Sequence, residues 1–189
     1  VGRITPVKNL AFALEALRGV TMPVSYDIYG PIADAAYWGE CERVIATLPA
    51  HVTVTYRGAI GNDDIPAAIG DADLLLHPTL GENFGHAIFE ALSCGVPALI
   101  SDQTPWIDLE RRDAGWSLPL EAPAGFTQAI EAFGAMSAGA RERLRAGARS
   151  VAEGYIAGSD AVEANRRMFE QVIAAGPSGF GANEAVAGA

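Results

Sequence analysis

Apolar positions along the chain fall into two alternating patterns. Short, nearly continuous apolar runs at residues 24–29 (VSYDIY), 52–57 (VTVTYR), 73–77 (DLLLH), 98–101 (ALIS) and 115–118 (GWSL) predict strands. Between them, apolar residues recur at helical spacing and predict helices over residues 8–17, 33–48, 65–69, 84–93 and 124–133. Runs without strict apolar–polar alternation suit strands covered on both faces. Strand–helix repetition therefore predicts an α/β fold, a doubly wound parallel sheet with helices on both sides and right-handed crossovers. Residues 1–4 read as the tail of one more strand, which brings the expected total to about six. From about residue 137 the pattern is helical only, over 138–153 and 159–174, and a Gly- and Ala-rich segment at 176–189 is expected to be a flexible tail.

Composition narrows the classes. The chain has 189 residues, of which 50% are hydrophobic and 19% charged, which is too apolar for a disordered chain and long enough for a domain with its own core. No apolar run reaches the ~18 residues of a membrane span. A net charge of -10 argues against nucleic acid or an anionic membrane as the main partner. Arg141, Arg143, Arg145 and Arg149 crowd one helix, but Glu142 and Glu153 interleave without alternating aromatics, so a solvated helix face is expected there. Cys41 and Cys94 form no C-x-x-C pair and read as reduced thiols in a cytoplasmic protein. His51, His77 and His86 are not at metal-ligand spacings, so no metal site is expected. Lys8 is the sole lysine, and no Lys or Arg occurs from Gly58 to Glu110. An anion bound in that stretch must rely on backbone N–H groups and on cations brought from elsewhere.

Two segments carry candidate chemistry. In the first, GRITPVKNL, a strand ends at Gly2-Arg3 and a helix opens near Lys8. Such a turn in an open parallel sheet presents backbone amides and the positive helix end to a ligand, and Arg3 and Lys8 would add two cations fit for a diphosphate. An ordinary βα turn with two solvated charges is the competing reading. In the second, HPTLGENFGHAIFEALSCG, an apolar strand ends at Pro78 and a helix follows Gly81-Glu82-Asn83. The N–H groups of Phe84, Gly85 and His86 would face an anion or sugar hydroxyls, with Gly85 allowing close approach and Asn83 also readable as a helix cap. Glu90 lies four residues after His86 on the same helix face. It reads equally as an exposed charge or as a carboxylate accepting hydrogen bonds from a vicinal diol such as ribose.

Taken together, GR-x4-K (Gly2 to Lys8), IYG at 28–30, the V-x-YRG segment (Val54 to Gly58), ADLLLHP, and E-x-FG-x4-EAL-x-x-G-x-P resemble the C-terminal donor-binding domain of retaining glycosyltransferases of the two-Rossmann (GT-B) architecture, known as glycosyl transferases group 1 or family 4. The resemblance covers most of residues 1–173, and Glu82 with Glu90 forms its E-x7-E signature. It implies a Rossmann-like fold over residues 1–175 and transfer of a hexosyl unit from a nucleotide-diphosphate sugar (UDP-, GDP- or ADP-linked) to an acceptor hydroxyl, in bacterial polysaccharide or glycoconjugate synthesis. No cofactor and no metal is implied. Arg3 and Lys8 would neutralise the diphosphate. Glu82, the catalytic residue of this half, would contact the donor sugar. The backbone of Asn83, Phe84, Gly85 and His86 would hold sugar hydroxyls and a phosphate, and Glu90 the ribose. His86 stands where the family often has an apolar residue, and Trp106 lies in a stretch that departs from the commoner glycine-rich loop, so Trp106 is read as a core or surface side chain and not as an acceptor contact.

The resemblance also implies a partner. Such enzymes react in a cleft between two domains, so an N-terminal acceptor-binding half of the same polypeptide is expected upstream of Val1, and any peripheral membrane association would run through it. This half alone is expected to bind donor without turnover. The alternative is a stand-alone nucleotide-binding or interaction module on the same sheet. A dinucleotide-dependent dehydrogenase is disfavoured, because no G-x-G-x-x-G follows the first strand.

Overall fold

The computed structural model describes residues 1–121 and 123–158. Residues Val1–Glu153 form one compact unit, and a second, Gly154–Ala189, is described only as far as Gly158. The helix expected at 159–174 and the tail at 176–189 lie outside the described residues.

The described residues contain five strands: β1 Val24–Tyr29, β2 Val52–Gly58, β3 Leu75–His77, β4 Ala98–Ser101 and β5 Gly115–Leu118. Six α-helices accompany them: α1 Leu10–Arg18, α2 Ala35–Ile45, α3 Ile65–Gly70, α4 His86–Ser93, α5 Pro123–Gly134 and α6 Ala138–Gly158. Every strand pair is parallel, with β1 beside β2 and β4 between β3 and β5. The α/β class and its helix-covered parallel strands are as expected. The additional strand expected at residues 1–4 contributes a single parallel bridge, Ile4 to Ile32.

The two-faced burial behind the continuous apolar runs is visible residue by residue. Side chains alternate across a strand. Leu76 and its partner Leu99 pack with Leu14 and Leu17 of α1 and with Phe126 and Ile130 of α5. Leu75, Ala98 and Ile100 face the other way, onto Ile88 and Leu92 of α4 and Ala148 and Val151 of α6. Between β1 and β3, which share no ladder among the described residues, lies a cavity of about 620 Å³ walled in part by Tyr26, Ile28, Leu74 and Leu76. Arg3, Lys8 and His77 line it as well.

Three expectations need correction. Helix α1 starts at Leu10, because Pro6–Lys8 forms a separate 3-10 turn and Asn9 turns left-handed at φ 54°. Helix α4 starts at His86, two residues late, because Gly85 at φ +83° stands at its N-cap and Asn83 does not. The α6 arginines are not a plain solvated face. Arg141 donates to the Gly134 carbonyl at 2.7 Å and lies over the Phe133 ring, Arg145 donates to the Ala72 carbonyl at 3.1 Å, and Arg149 pairs with Glu142. Only Arg143 of the four is fully exposed.

Residues 2–4 are fixed to the end of β1. The Gly2 amide donates to the Tyr29 carbonyl and that of Ile4 to the Pro31 carbonyl, each at 2.9 Å. Gly30 makes this approach possible, since at φ +137° an added Cβ would lie 1.9 Å from the Gly2 carbonyl oxygen. Gly30→Ala is expected to destabilise the chain by roughly 1–3 kcal/mol in chemical denaturation, with loss of hydrogen-exchange protection at the Gly2 and Ile4 amides.

Candidate functional site

Two loops remote in sequence meet at the C-terminal ends of the strands, where open parallel sheets bind ligands. The carbonyl of Val7, in the turn before α1, accepts from the Leu80 amide at 2.8 Å and from the Thr79 hydroxyl at 2.9 Å. Thr79 is fully buried, and its own carbonyl accepts from the Ser101 hydroxyl at the end of β4 at 2.5 Å. Further along, the Glu82 amide donates to the Gln103 carbonyl at 3.1 Å. The loop from β3 to α4 is thereby held on one side by the first turn and on the other by the segment after β4.

This stapling brings Lys8 and Glu82 together across the chain. Lys8 Nζ pairs with Glu82 Oε1, and His77 Nε2 lies 3.0 Å from the same oxygen. Both residues around the carboxylate are well covered, with side-chain exposures of 7% for His77 and 13% for Glu82. The hydrogen bond from His77 and the Lys8 ammonium hold the Glu82 carboxyl down at about 2, below its ordinary 4.5. An ionised carboxylate only accepts, so His77 Nε2 carries the hydrogen. Burial lowers the His77 pKa, which favours the neutral imidazole with its proton on Nε2.

The start of α4 is built differently from the expectation. Gly85 is buried, and a Cβ there would meet Ile88 Cδ1 at 2.9 Å and Trp106 Nε1 at 3.4 Å. Its lack of a side chain serves the left-handed turn and the packing beneath it, not an open approach for a ligand. Because the helix starts at His86, and the Ile88 and Phe89 amides already donate to the Gly85 carbonyl, its leading N–H groups are those of His86 and Ala87. The Phe84 carbonyl accepts from the buried Trp106 indole at 2.5 Å, and the Phe84 ring packs edge-on against His86 and Trp106 and tilted against Phe89. Trp106 is buried and packs against Phe84 and Phe89. Asn83 and the His86 side chain are exposed.

Glu90 is half-buried on α4, and burial raises its carboxyl pKa against the opposing pull of His86 on the same helix face. Arg3 is exposed at the mouth, with no ion pair among the described residues. The amides of the first turn are largely engaged internally. Those of Lys8 and Asn9 donate to the Thr5 and Pro6 carbonyls, and that of Ala11 donates to the Tyr37 hydroxyl at 2.9 Å. His77 was absent from the candidate residues. The available signal was an imidazole ending an apolar strand, in register with Leu75 and five residues before Glu82.

Two consequences can be measured. The Glu82 carboxylate stabilises the fold above its ordinary range, and that contribution is lost as pH falls from 4.5 toward about 2. The stability gap between the parent and Glu82→Gln, followed by denaturant titration, should therefore be full at neutral pH and close over that acid window. For Glu90 the sign is opposite. Its raised pKa means that ionisation works against folding, so Glu90→Gln should raise the neutral-pH midpoint by roughly 1–3 °C in thermal melts, and the gain should vanish in acid.

Comparison with known proteins agrees with this architecture. Residues 1–134 match the family model described as glycosyl transferases group 1. The O-antigen chain mannosyltransferase B of Escherichia coli is 30% identical over 108 residues, which are 55% of this chain and 28% of that protein. The chain thus spans less than a third of that relative's length. A glycosyltransferase from Rickettsia africae superposes with a TM-score of 0.77 at 16% identity, over 90% of this chain and 46% of its own. HepE of Anabaena, solved with UDP and glucose, superposes with a TM-score of 0.70 at 21% identity, over 92% of this chain and 47% of its own. With strands, helices and the family model in agreement over most of its length, the chain belongs to the glycosyl transferases group 1 family.

Proposed function

We propose that the chain is the donor-binding half of a retaining glycosyltransferase that moves a hexosyl unit from a nucleotide-diphosphate sugar to an acceptor hydroxyl. The observation that carries this reading is the meeting of Lys8 with Glu82, a cation from the first βα turn and a carboxylate from the loop before α4, at the strand ends of a family member. The chemistry divides between them. Arg3 and Lys8 offset the charge that grows on the departing nucleoside diphosphate as the glycosidic bond breaks. Glu82 accepts hydrogen bonds from the sugar, and the leading amides of α4, those of His86 and Ala87, add donors beside it. Glu90, exposed enough to reach a ligand yet poorly solvated, accepts from the ribose diol.

The order of events follows from the geometry of the pair. Glu82 holds Lys8 while the site is empty of anion, and an incoming diphosphate competes for the same ammonium. Once Lys8 moves to phosphate, the Glu82 carboxylate is released toward sugar hydroxyls. HepE, a structural neighbour, binds UDP-glucose, which supports a nucleotide-sugar as the class of ligand. In the whole enzyme the acceptor and the remaining catalytic groups come from the other half, so the chain alone binds without turnover.

Calorimetry with UDP, GDP and ADP tests the reading. Binding of at least one is expected with a dissociation constant on the order of 0.1–1 mM, and Lys8→Ala should weaken it about tenfold. Folded protein that binds none of the three, nor their sugar-linked forms, would remove the donor-domain reading in favour of an interaction module.

A further inference from the structure

The imidazole of His77 is not accounted for by the roles above, yet it is among the most buried polar groups of the described residues. It ends β3 with the parity of Leu75, which turns it toward the α4 side and the loop that carries Glu82. Burying a ring N–H is costly unless it has an acceptor, and Glu82 Oε1 at 3.0 Å is that acceptor. Two donors, His77 and Lys8, share this one oxygen, while no hydrogen bond to Glu82 Oε2 is found among the described residues. The two donors are mounted differently. Lys8 is a flexible side chain, 29% exposed, on a surface turn. His77 is fixed in a strand and has no freedom to follow a ligand.

We infer that His77 is the positioning residue of the donor site, the clamp that keeps Glu82 Oε1 fixed when a diphosphate draws Lys8 away and so presents Oε2 to the donor sugar. This rests on the donor-site reading above. Without the clamp, a carboxylate freed from Lys8 would swing toward solvent and lose its alignment with the sugar hydroxyls. The clamp is neutral, so it orients the carboxylate without adding a cation that would compete with Lys8 for phosphate. It therefore serves recognition of the sugar more than of the nucleotide.

The test compares the parent, His77→Phe and His77→Gln. Glutamine places an amide donor near the position of Nε2, whereas phenylalanine fills the volume without a donor. Each protein is titrated calorimetrically with UDP and UDP-glucose, GDP and GDP-mannose, and ADP and ADP-glucose. In the pair that the parent binds, His77→Phe should lose about tenfold more affinity for the nucleotide-sugar than for the bare diphosphate, and His77→Gln should recover most of the difference. Equal losses on both ligands, or no recovery with glutamine, would overturn the positioning role. Carbon-13 titration of the Glu82 carboxyl in the unliganded proteins supplies an independent readout. It should move up toward the ordinary carboxylate range in His77→Phe and stay depressed in His77→Gln, and an unchanged titration in His77→Phe would overturn the clamp. If the parent binds no nucleotide, the donor reading fails and the sugar-presenting role fails with it. The carboxyl titration then decides the His77–Glu82 contact alone.

Discussion

The carbonyl of Val7 is the constraint on which the site depends. It takes hydrogen bonds from both Thr79 and Leu80, residues more than seventy positions away, and so fixes the turn before α1 against the loop after β3. The short 3-10 turn that carries Lys8 shares no helix or strand with the loop that carries Glu82, so these bonds set the distance between the two. A buried threonine with its hydroxyl engaged is a rigid spacer, because releasing it would strand a polar group away from water. Ser101 adds a third point by donating to the Thr79 carbonyl, which ties the same loop to β4. The ion pair thus rests on the way the two loops are held together, which brings the long side chains of Lys8 and Glu82 within reach of each other.

Beneath the loops, the sheet supplies what they stand on. The side chains of β3 and β4 alternate between an α1–α5 face and an α4–α6 face, and nearly all of them are aliphatic. Such strands cannot slip by one residue without moving the wrong set into each layer, although both layers would remain apolar. Register is pinned instead at the strand ends, where polar residues begin. His77 at the end of β3 and Ser101 at the end of β4 are buried polar groups with specific acceptors, and both serve the loop between β3 and α4.

Much of this was legible in the sequence, for reasons that differ by element. Strands β1, β4 and β5 were readable to the residue because apolar runs bounded by turn residues leave little choice. The start of α4 was not, since a glycine within an apolar helical pattern reads as part of the helix, while its left-handed backbone here ends the loop one residue before it. The arginines of α6 looked solvated because spacing along a helix cannot reveal that Gly134 and Ala72 offer carbonyls beside it. Lys8, Glu82 and Glu90 were accessible through the motif that carries the resemblance. His77 was not, because its significance lies in strand parity and in a loop path that returns Glu82 to the strand end. Nothing in the spacing of the two residues announces that return.

The pairing of the sole lysine with Glu82 has a consequence for selectivity. In a chain of net charge -10, a free ammonium at the strand ends would attract any small anion in its surroundings. Here an arriving anion must match a carboxylate already in contact with Lys8, so a lone phosphate gains little by displacing it. In the donor-site reading proposed above, a ligand with two phosphates and a sugar would recover the lost contact elsewhere, through Arg3 on one side and Glu82 on the other. The internal salt bridge would then act as a threshold, answering to a bipartite ligand and discounting small anions that make a single contact.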